Sequence, residues 1–168
     1  GLKLLVHRCG TQCYYKEWNP QHASLTFLRD ELPGGLYQIL LLSPTGEAYS
    51  ERLVFNRRDE EAEVTMRQEG TLRQRSKVTL HFEVRDTKRR PAQGDFPVAV
   101  TDRKAAAPVA TAGIYSTLML SSELRGVIED PDWYFAPDNA QGDEGLDELL
   151  LTQGWRRYDV PKLLRDEY

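Results

Sequence analysis

The chain has 168 residues and a mass of 19.3 kDa, and 40% of its residues are hydrophobic and 29% are charged. This composition supports a packed core and excludes a fully disordered chain. Lysine and arginine total 22 against 26 aspartate and glutamate residues, which gives a net charge of -4 and excludes the basic surface of a general nucleic-acid-binding protein. Because no apolar run approaches the roughly 20 residues that cross a bilayer, we also expect no membrane span.

The first third of the chain has the pattern of short antiparallel strands. Strands are predicted at Leu2–Arg8, Cys13–Trp18, Ser24–Leu28, Gly35–Leu42 and Ala48–Phe55. The breaks between them carry Gly, Pro or Asn and recur about every 8–12 residues, which is typical of an antiparallel sandwich and not of alternating strands and helices. The break before the last strand contains both Pro and Gly, which predicts a hairpin connection.

A charged run, Asn56–Glu61, follows this block and is interpreted as a solvated linker. The β pattern then resumes, with strands predicted at Ala62–Gln68, Ser76–Arg85 and Phe96–Asp102 and an extended segment at Gly113–Leu120. Apolar and polar residues alternate along Ser76–Arg85, so one face of that strand is expected to be apolar.

The last part of the chain changes character. Asp130–Phe135 is an aromatic cluster that follows a turn. Leu146–Gln153 is predicted to be a helix, because its leucines recur at helical spacing and acidic residues occupy its first turn. A second helix is predicted to begin after Asp159, which suits the N-cap, with Pro161 inside the first turn.

Together these elements predict a mostly β chain with two immunoglobulin-like antiparallel β-sandwich modules and a short helical C-terminal tail. The first module would span residues 1–58 and be short of strands, and the second would span residues 59–120. Residues 121–168 would pack on the second module or lead to a further domain. Since the chain opens without methionine and stops inside a predicted helix, we expect it to be a piece of a longer protein.

Cys9 and Cys13 are the two cysteines of the chain. Residues four apart in one strand lie about 13 Å apart, whereas a disulfide needs Cα atoms within about 7 Å. A tight turn at Gly10–Gln12 would bring the thiols together, so a disulfide and two free thiols both stay open. Cys9 and Gln12 also have the spacing of an internal thioester, but Thr11 replaces the glutamate of that motif and the flanking residues are β-like.

Other signals of chemistry are weak. The histidines are well separated and form no metal-binding pair, and neither a nucleophile elbow nor a phosphate-binding loop occurs. Asp138–Glu148 is acidic, but Pro137 falls where a regular calcium loop needs its first ligand. An irregular calcium site at Asp138, Asp143 and Glu144 is disfavoured against a solvated loop. We therefore expect no catalytic residues, no metal and no cofactor.

The aromatic residues of the tail allow two interpretations. Large rings next to loops commonly cap a core, because each of them buries a large apolar area. Exposed rings would instead form a ligand-binding platform made of Trp133, Tyr134 and Trp155.

Three blocks of the chain carry a resemblance. Pro33–Phe55, Leu118–Phe135 and Leu146–Tyr158 are similar to stretches of large Bacteroidetes-type cell-envelope proteins, and the Leu-Thr-Gln-Gly-Trp-Arg-Arg-Tyr sequence at Leu151–Tyr158 is fairly specific. In those proteins the blocks belong to macroglobulin-like β-sandwich regions, which are often linked to a TonB-dependent receptor plug domain. Cys9 and Cys13 are not part of the family pattern.

The resemblance implies a non-catalytic structural or interaction module of a larger outer-membrane-associated protein, located in the periplasm or at the cell surface. It would serve a TonB-dependent transport or anchoring assembly. Its partners would be other domains of the parent chain, or an envelope protein or extended peptide that adds a strand to an exposed sheet edge. The alternative is a carbohydrate- or peptide-binding module that uses the aromatic residues of the tail.

Overall fold

The computed structural model describes residues 1–22, 24–58, 62–98, 100, 112–153 and 157–164, with only the backbone of 163 and 164. The chain is mostly β and divides into two compact units. One unit combines Gly1–Arg58 with Pro108–Tyr168, and the other spans Asp59–Ala107. We call them the sheet–helix unit and the hairpin unit.

The sheet–helix unit contains four antiparallel strands: β1 (Leu2–Arg8), β2 (Thr11–Trp18), β3 (Gly35–Leu42) and β4 (Ala48–Asn56). Their order in the sheet is β2-β1-β3-β4, so β3 lies in the interior between β1 and β4. All four strands lie close to the positions predicted from sequence. The hairpin predicted between β3 and β4 is confirmed: Ser43 N donates to Glu47 O over 2.7 Å, and Gly46 has a φ of 86°.

The other end of the chain contains the helices α1 (Ile114–Met119), α2 (Gly142–Thr152) and α3 (Val160–Leu164). One face of the sheet packs against α2, α3 and the residues that follow α1. Leucines of β3 and β4 share a core with leucines of the helical segment, namely Leu36, Leu53, Leu120, Leu124, Leu146 and Leu150. A second core cluster joins α3 to the strands through Leu5, Leu40, Leu42 and Val160.

The packing partner of the tail therefore differs from the sequence-based expectation. Residues 121–168 were expected on the second module or leading to a further domain, but their described part packs on the first sheet. Two ion pairs add to this contact, with Arg52 Nη2 2.7 Å from Asp147 Oδ1 and Arg57 Nε 2.5 Å from Asp143 Oδ1. The described part of the predicted linker run, Asn56–Arg58, is not a free solvated segment: Arg57 contacts the tail, and Asn56 and Arg58 donate to carbonyl oxygens of residues 29–33.

The helix predictions hold at α2 and α3. Helix α2 begins four residues earlier than Leu146 and ends at Thr152. Asp159 caps α3 as predicted, since its Oδ1 accepts a hydrogen bond from Lys162 N over 3.3 Å.

Three predicted β segments are wrong in the described residues. Ser24–Leu28 is an irregular segment that packs over the sheet, with the Phe27 ring 5.3 Å from that of Tyr14. The described residues of Phe96–Asp102, which are 96–98 and 100, form no strand. Gly113–Leu120 contains α1, whose N-terminus is held by a distant side chain: Gly113 N donates to both carboxylate oxygens of Asp132 at 2.9 Å.

The hairpin unit contains β5 (Glu63–Glu69) and β6 (Thr79–Arg85), which pair in antiparallel register. Val64 lies opposite Val84 and Met66 opposite Phe82, so the apolar face expected from sequence is formed. Most of this hairpin is exposed to solvent. In the described part of the chain, neither unit contains a second β-sheet packed face to face on the first.

The joint core of sheet and helices is testable with a matched pair of leucines. Leu120 is fully buried in it, whereas Leu118 is 63% exposed. We expect Leu120→Ala to lower the free energy of unfolding by about 2–5 kcal/mol, because a core leucine loses its transfer energy and leaves a cavity. Leu118→Ala should change it by less than about 0.5 kcal/mol. Urea unfolding followed by tryptophan fluorescence measures both, and equal losses would contradict the packing.

Candidate functional site

The predicted thiol pair lies at the hairpin between β1 and β2. Cys9 and Gly10 form a two-residue turn with φ values of 50° and 75°. Positive φ at both positions is the mirror-image turn geometry that matches the twist of antiparallel strands. Gly10 also faces the Tyr158 ring, since a Cβ at this position would lie 3.3 Å from Tyr158 Cε1. The turn is therefore held against the segment that leads into α3.

Cys13 occupies a β-bulge in β2. Val6 pairs with Tyr14 and His7 with Gln12, which leaves Cys13 as the extra residue between them. Its Sγ donates to Thr11 O over 3.6 Å. Both cysteines are exposed free thiols, so the disulfide that the sequence left open is not formed in the structure.

A small cavity lies below this turn, between β1, β3 and the helical segment. Its volume is about 10 Å³, which is room for about one water molecule. The polar and aromatic residues that line it are His7, Cys9, Gln38, Glu123 and Tyr158. The fold thus brings an imidazole, a thiol and a carboxylate to one point, which sequence spacing alone did not indicate.

His7 is the buried member of this group, with 5% of its surface exposed. Neither ring nitrogen has a hydrogen-bond partner among the described residues, and the Gln38 amide donates to Glu51 instead, over 2.6 Å. The Tyr158 ring meets His7 edge-on at 6.1 Å. Burial lowers the pKa of His7, and this outweighs the neighbouring Gln38 side chain and the carboxylates of Glu123 and Glu51, which raise that pKa. The imidazole is therefore neutral at pH 7.

The neighbouring thiol, Cys9, has a raised pKa, which makes it less reactive. Partial desolvation and the carboxylate of Glu123 raise the pKa of Cys9. A nucleophilic cysteine needs the thiolate, which a neighbouring imidazolium or other cation stabilises. Here the imidazole is neutral and the thiol keeps its proton, and the cavity has no room for a substrate. The arrangement is suited to structure more than to acyl or redox chemistry.

The aromatic residues of the tail pack on α2. Trp133 and Tyr134 meet edge-on at 5.2 Å, and a Cβ at Gly145 would lie 2.8 Å from Trp133 Cζ3. Trp133 remains 41% exposed, whereas Tyr134 is half-buried against the leucine core. Trp155, the third predicted platform residue, lies outside the described residues. The described rings therefore cap the core, and one side of Trp133 faces solvent.

Arg57 organises this region and was missed in the sequence, where it lies in a run of charges. Its guanidinium pairs with Asp143, donates to Tyr134 O over 2.7 Å and lies 5.3 Å from the centre of the Phe135 ring. Asp143, one of the candidate calcium ligands, is thereby engaged by an arginine. Within the described ranges, no three His, Cys, Asp or Glu side chains are arranged to hold a metal ion.

None of the described helices is both long and apolar enough to cross a membrane. Comparison of the chain with models of known families, with curated proteins and with solved structures finds no match.

The buried imidazole predicts a pH dependence of stability. Because folding lowers the pKa of His7, the unfolded chain takes up a proton more readily than the folded one. Its contribution is fully present above the unfolded pKa of about 6.5 and is lost as the pH falls from that value through the lower pKa of the folded state. We expect His7→Leu to unfold with a flatter pH profile between about pH 7.5 and 5.5 than the wild type.

His22→Gln serves as the control, because His22 is exposed and should leave the profile unchanged. Urea midpoints across this pH range measure all three proteins. If His7→Leu and the wild type lose stability with the same slope, the assigned burial effect is wrong.

Proposed function

We propose that the chain is a non-catalytic interaction module in which the hairpin unit recruits an extended polypeptide strand. The observation that carries this proposal is the exposed apolar face of the hairpin. Val64, Met66 and Phe82 are 58%, 62% and 48% exposed, although their strands align them on one face. Apolar side chains collected on one exposed face are typical of a surface that is covered in a complex.

The strand edges support the same proposal. Within 62–98, β5 has β6 as its only strand partner, and the outer edge of β6 carries one isolated bridge, from Arg85 to Pro91. A two-stranded hairpin is marginally stable in water, and a third strand or a packed layer stabilises it. An added strand would satisfy the free backbone groups of β5 and place its own apolar side chains beside Met66 and Val64.

The sheet–helix unit supplies the stable part of this module. Its interior is filled by leucines from both ends of the chain, and its one thiol–imidazole cavity holds about one water molecule. Because the place where the thiol and the imidazole meet has no room for a substrate, these reactive groups support a structural role over a catalytic one.

The cellular setting rests on the resemblance of Pro33–Phe55, Leu118–Phe135 and Leu146–Tyr158 to large cell-envelope proteins. We propose on this basis that both units are parts of macroglobulin-like sandwiches, completed by strands of the parent protein or its partner. The parent would be associated with the outer membrane, in the periplasm or at the cell surface, and would serve a TonB-dependent transport or anchoring assembly. Fractionation of cells that express the complete protein checks this location, and recovery in the cytoplasm would contradict it.

Strand recruitment predicts binding of a generic β-strand. A fluorescein-labelled peptide of about ten residues, with alternating valine and threonine and a lysine at each end, should bind the chain saturably. Met66→Asp should weaken the binding at least about fivefold, because it places a charge on the apolar face. Fluorescence anisotropy measures the affinity.

Val127→Asp is the matched control, because Val127 is 94% exposed and belongs to the other unit. It should bind the peptide as the wild type does. Equal loss in both variants, or tight binding of a peptide with proline at alternate positions, would contradict strand addition.

A second candidate function is favoured by the exposed side of Trp133: binding of a carbohydrate or peptide at the aromatic tail. It predicts that acrylamide quenches Trp133 readily and that a glycan or peptide ligand protects it. Phenylalanine variants of Trp18 and Trp155 leave Trp133 as the only tryptophan for this measurement. Fluorescence that no glycan or peptide protects would count against this candidate.

A further inference from the structure

The face of the four-stranded sheet opposite the helices holds a second cavity. It lies between the strands and the segment 27–32, and its volume is about 160 Å³. Its walls are mainly apolar and come from three strands and this segment: Val6, Phe27, Leu28, Tyr37, Ile39 and Val54. The irregular path of the segment around Phe27, where a strand was predicted, creates this space.

The wall formed by this segment is fixed by hydrogen bonds. The Asn56 side-chain amide donates to Arg29 O, Leu32 O and Pro33 O over 3.0, 2.9 and 3.2 Å. The Tyr37 hydroxyl donates to Pro33 O over 2.8 Å. Because Asn56 and Tyr37 belong to β4 and β3, the segment is tied to the sheet from Arg29 to Pro33. The cavity is thus pre-formed, as ligand pockets commonly are.

Arg29 is the one charged residue among those that line the cavity. It is exposed, and in the described part of the chain no hydrogen bond or ion pair reaches its guanidinium. Arg29 also lines the adjoining cavity beside α2, but the carboxylates there, Asp143 and Asp147, are paired with Arg57 and Arg52. A positive charge therefore remains available at the rim of an apolar pocket.

We propose that this pocket binds a small arylalkyl carboxylate: a free acid whose phenyl-sized group fills the cavity and whose carboxylate pairs with Arg29. The volume suits the ring, since an apolar cavity of about 150 Å³ accepts benzene. The charge suits the acid, because a guanidinium and a carboxylate form a charge-assisted hydrogen bond. A single guanidinium favours a monoanion over a phosphate group, which needs several donors.

The experiment compares two ligands of equal shape, 3-phenylpropionate and 3-phenylpropan-1-ol, by NMR titration of the isotope-labelled chain. Both should shift the signals of Val6, Ile39 and Val54 saturably, and the acid should bind more tightly than the alcohol. In Arg29→Gln the acid should lose about two- to fivefold in affinity, the size of an exposed ion pair, while the alcohol binds unchanged. Arg73→Gln, at an exposed arginine of the hairpin unit, should behave as the wild type.

A second variant tests the cavity itself. Val54→Phe places a ring in the pocket and should abolish the shifts caused by both ligands, with the dispersed spectrum reporting that the chain is folded. The proposal is overturned if acid and alcohol bind the wild type equally, if Arg29→Gln and Arg73→Gln behave alike, or if the shifts map to residues outside the pocket.

Discussion

The structure depends on burial of the interior strand β3 by parts of the chain that are far from it in sequence. Leu36, Leu40 and Leu42 project to one face and are at most 5% exposed, and their core clusters include residues from the other end of the chain. The leucines of α2 and Val160 of α3 supply that cover. Since a fully buried leucine contributes about 1.5–3 kcal/mol, this contact gives the sheet–helix unit its stability.

This constraint also explains the polar contacts that surround it. Arg57 is placed at the end of β4, where its guanidinium reaches both Asp143 and the carbonyl of Tyr134. Asn56, its neighbour, ties down the segment over the opposite face. Two adjacent residues therefore hold the covering layers on the two sides of one sheet. Packing of the helical segment on the sheet also buries His7, because Glu123 and Tyr158 complete the cavity around it.

Much of the fold could be predicted from the sequence where the signal is local. β1 and β3 follow from runs rich in apolar residues, β4 follows as the return strand of the hairpin signalled by Pro44 and Gly46, and the cap of α3 follows from Asp159 and Pro161. The errors arise where contacts with residues far away in the sequence determine the local structure. Gly113–Leu120 has an extended pattern, but it contains α1, and the carboxylate of Asp132 holds the amide of Gly113 just before that helix. Phe27 has strand-like neighbours, but its segment pairs with no described strand and its ring packs on Tyr14 of β2.

The candidate sites were less predictable for the same reason. The aromatic residues of the tail were identified in sequence, yet only the fold shows Trp133 seated over Gly145. The fold alone brings together His7, Cys9 and Glu123, because β1, the turn after it and the helical turn at Glu123 converge. The spacing of these residues in the sequence does not indicate this. Arg29 and Arg57 each stand in a polar stretch with no distinguishing pattern. Their roles come from what the fold brings beside them.

Hydrogen exchange of the intact chain, measured residue by residue, tests the joint core of sheet and helices most directly. Amides of β3 and α2 should exchange slowly and with the same free energy of opening, because one core holds both, while amides of β5 exchange much faster. Rapid exchange of α2 while β3 stays protected would contradict the account, because the helices would then be dispensable to the sheet.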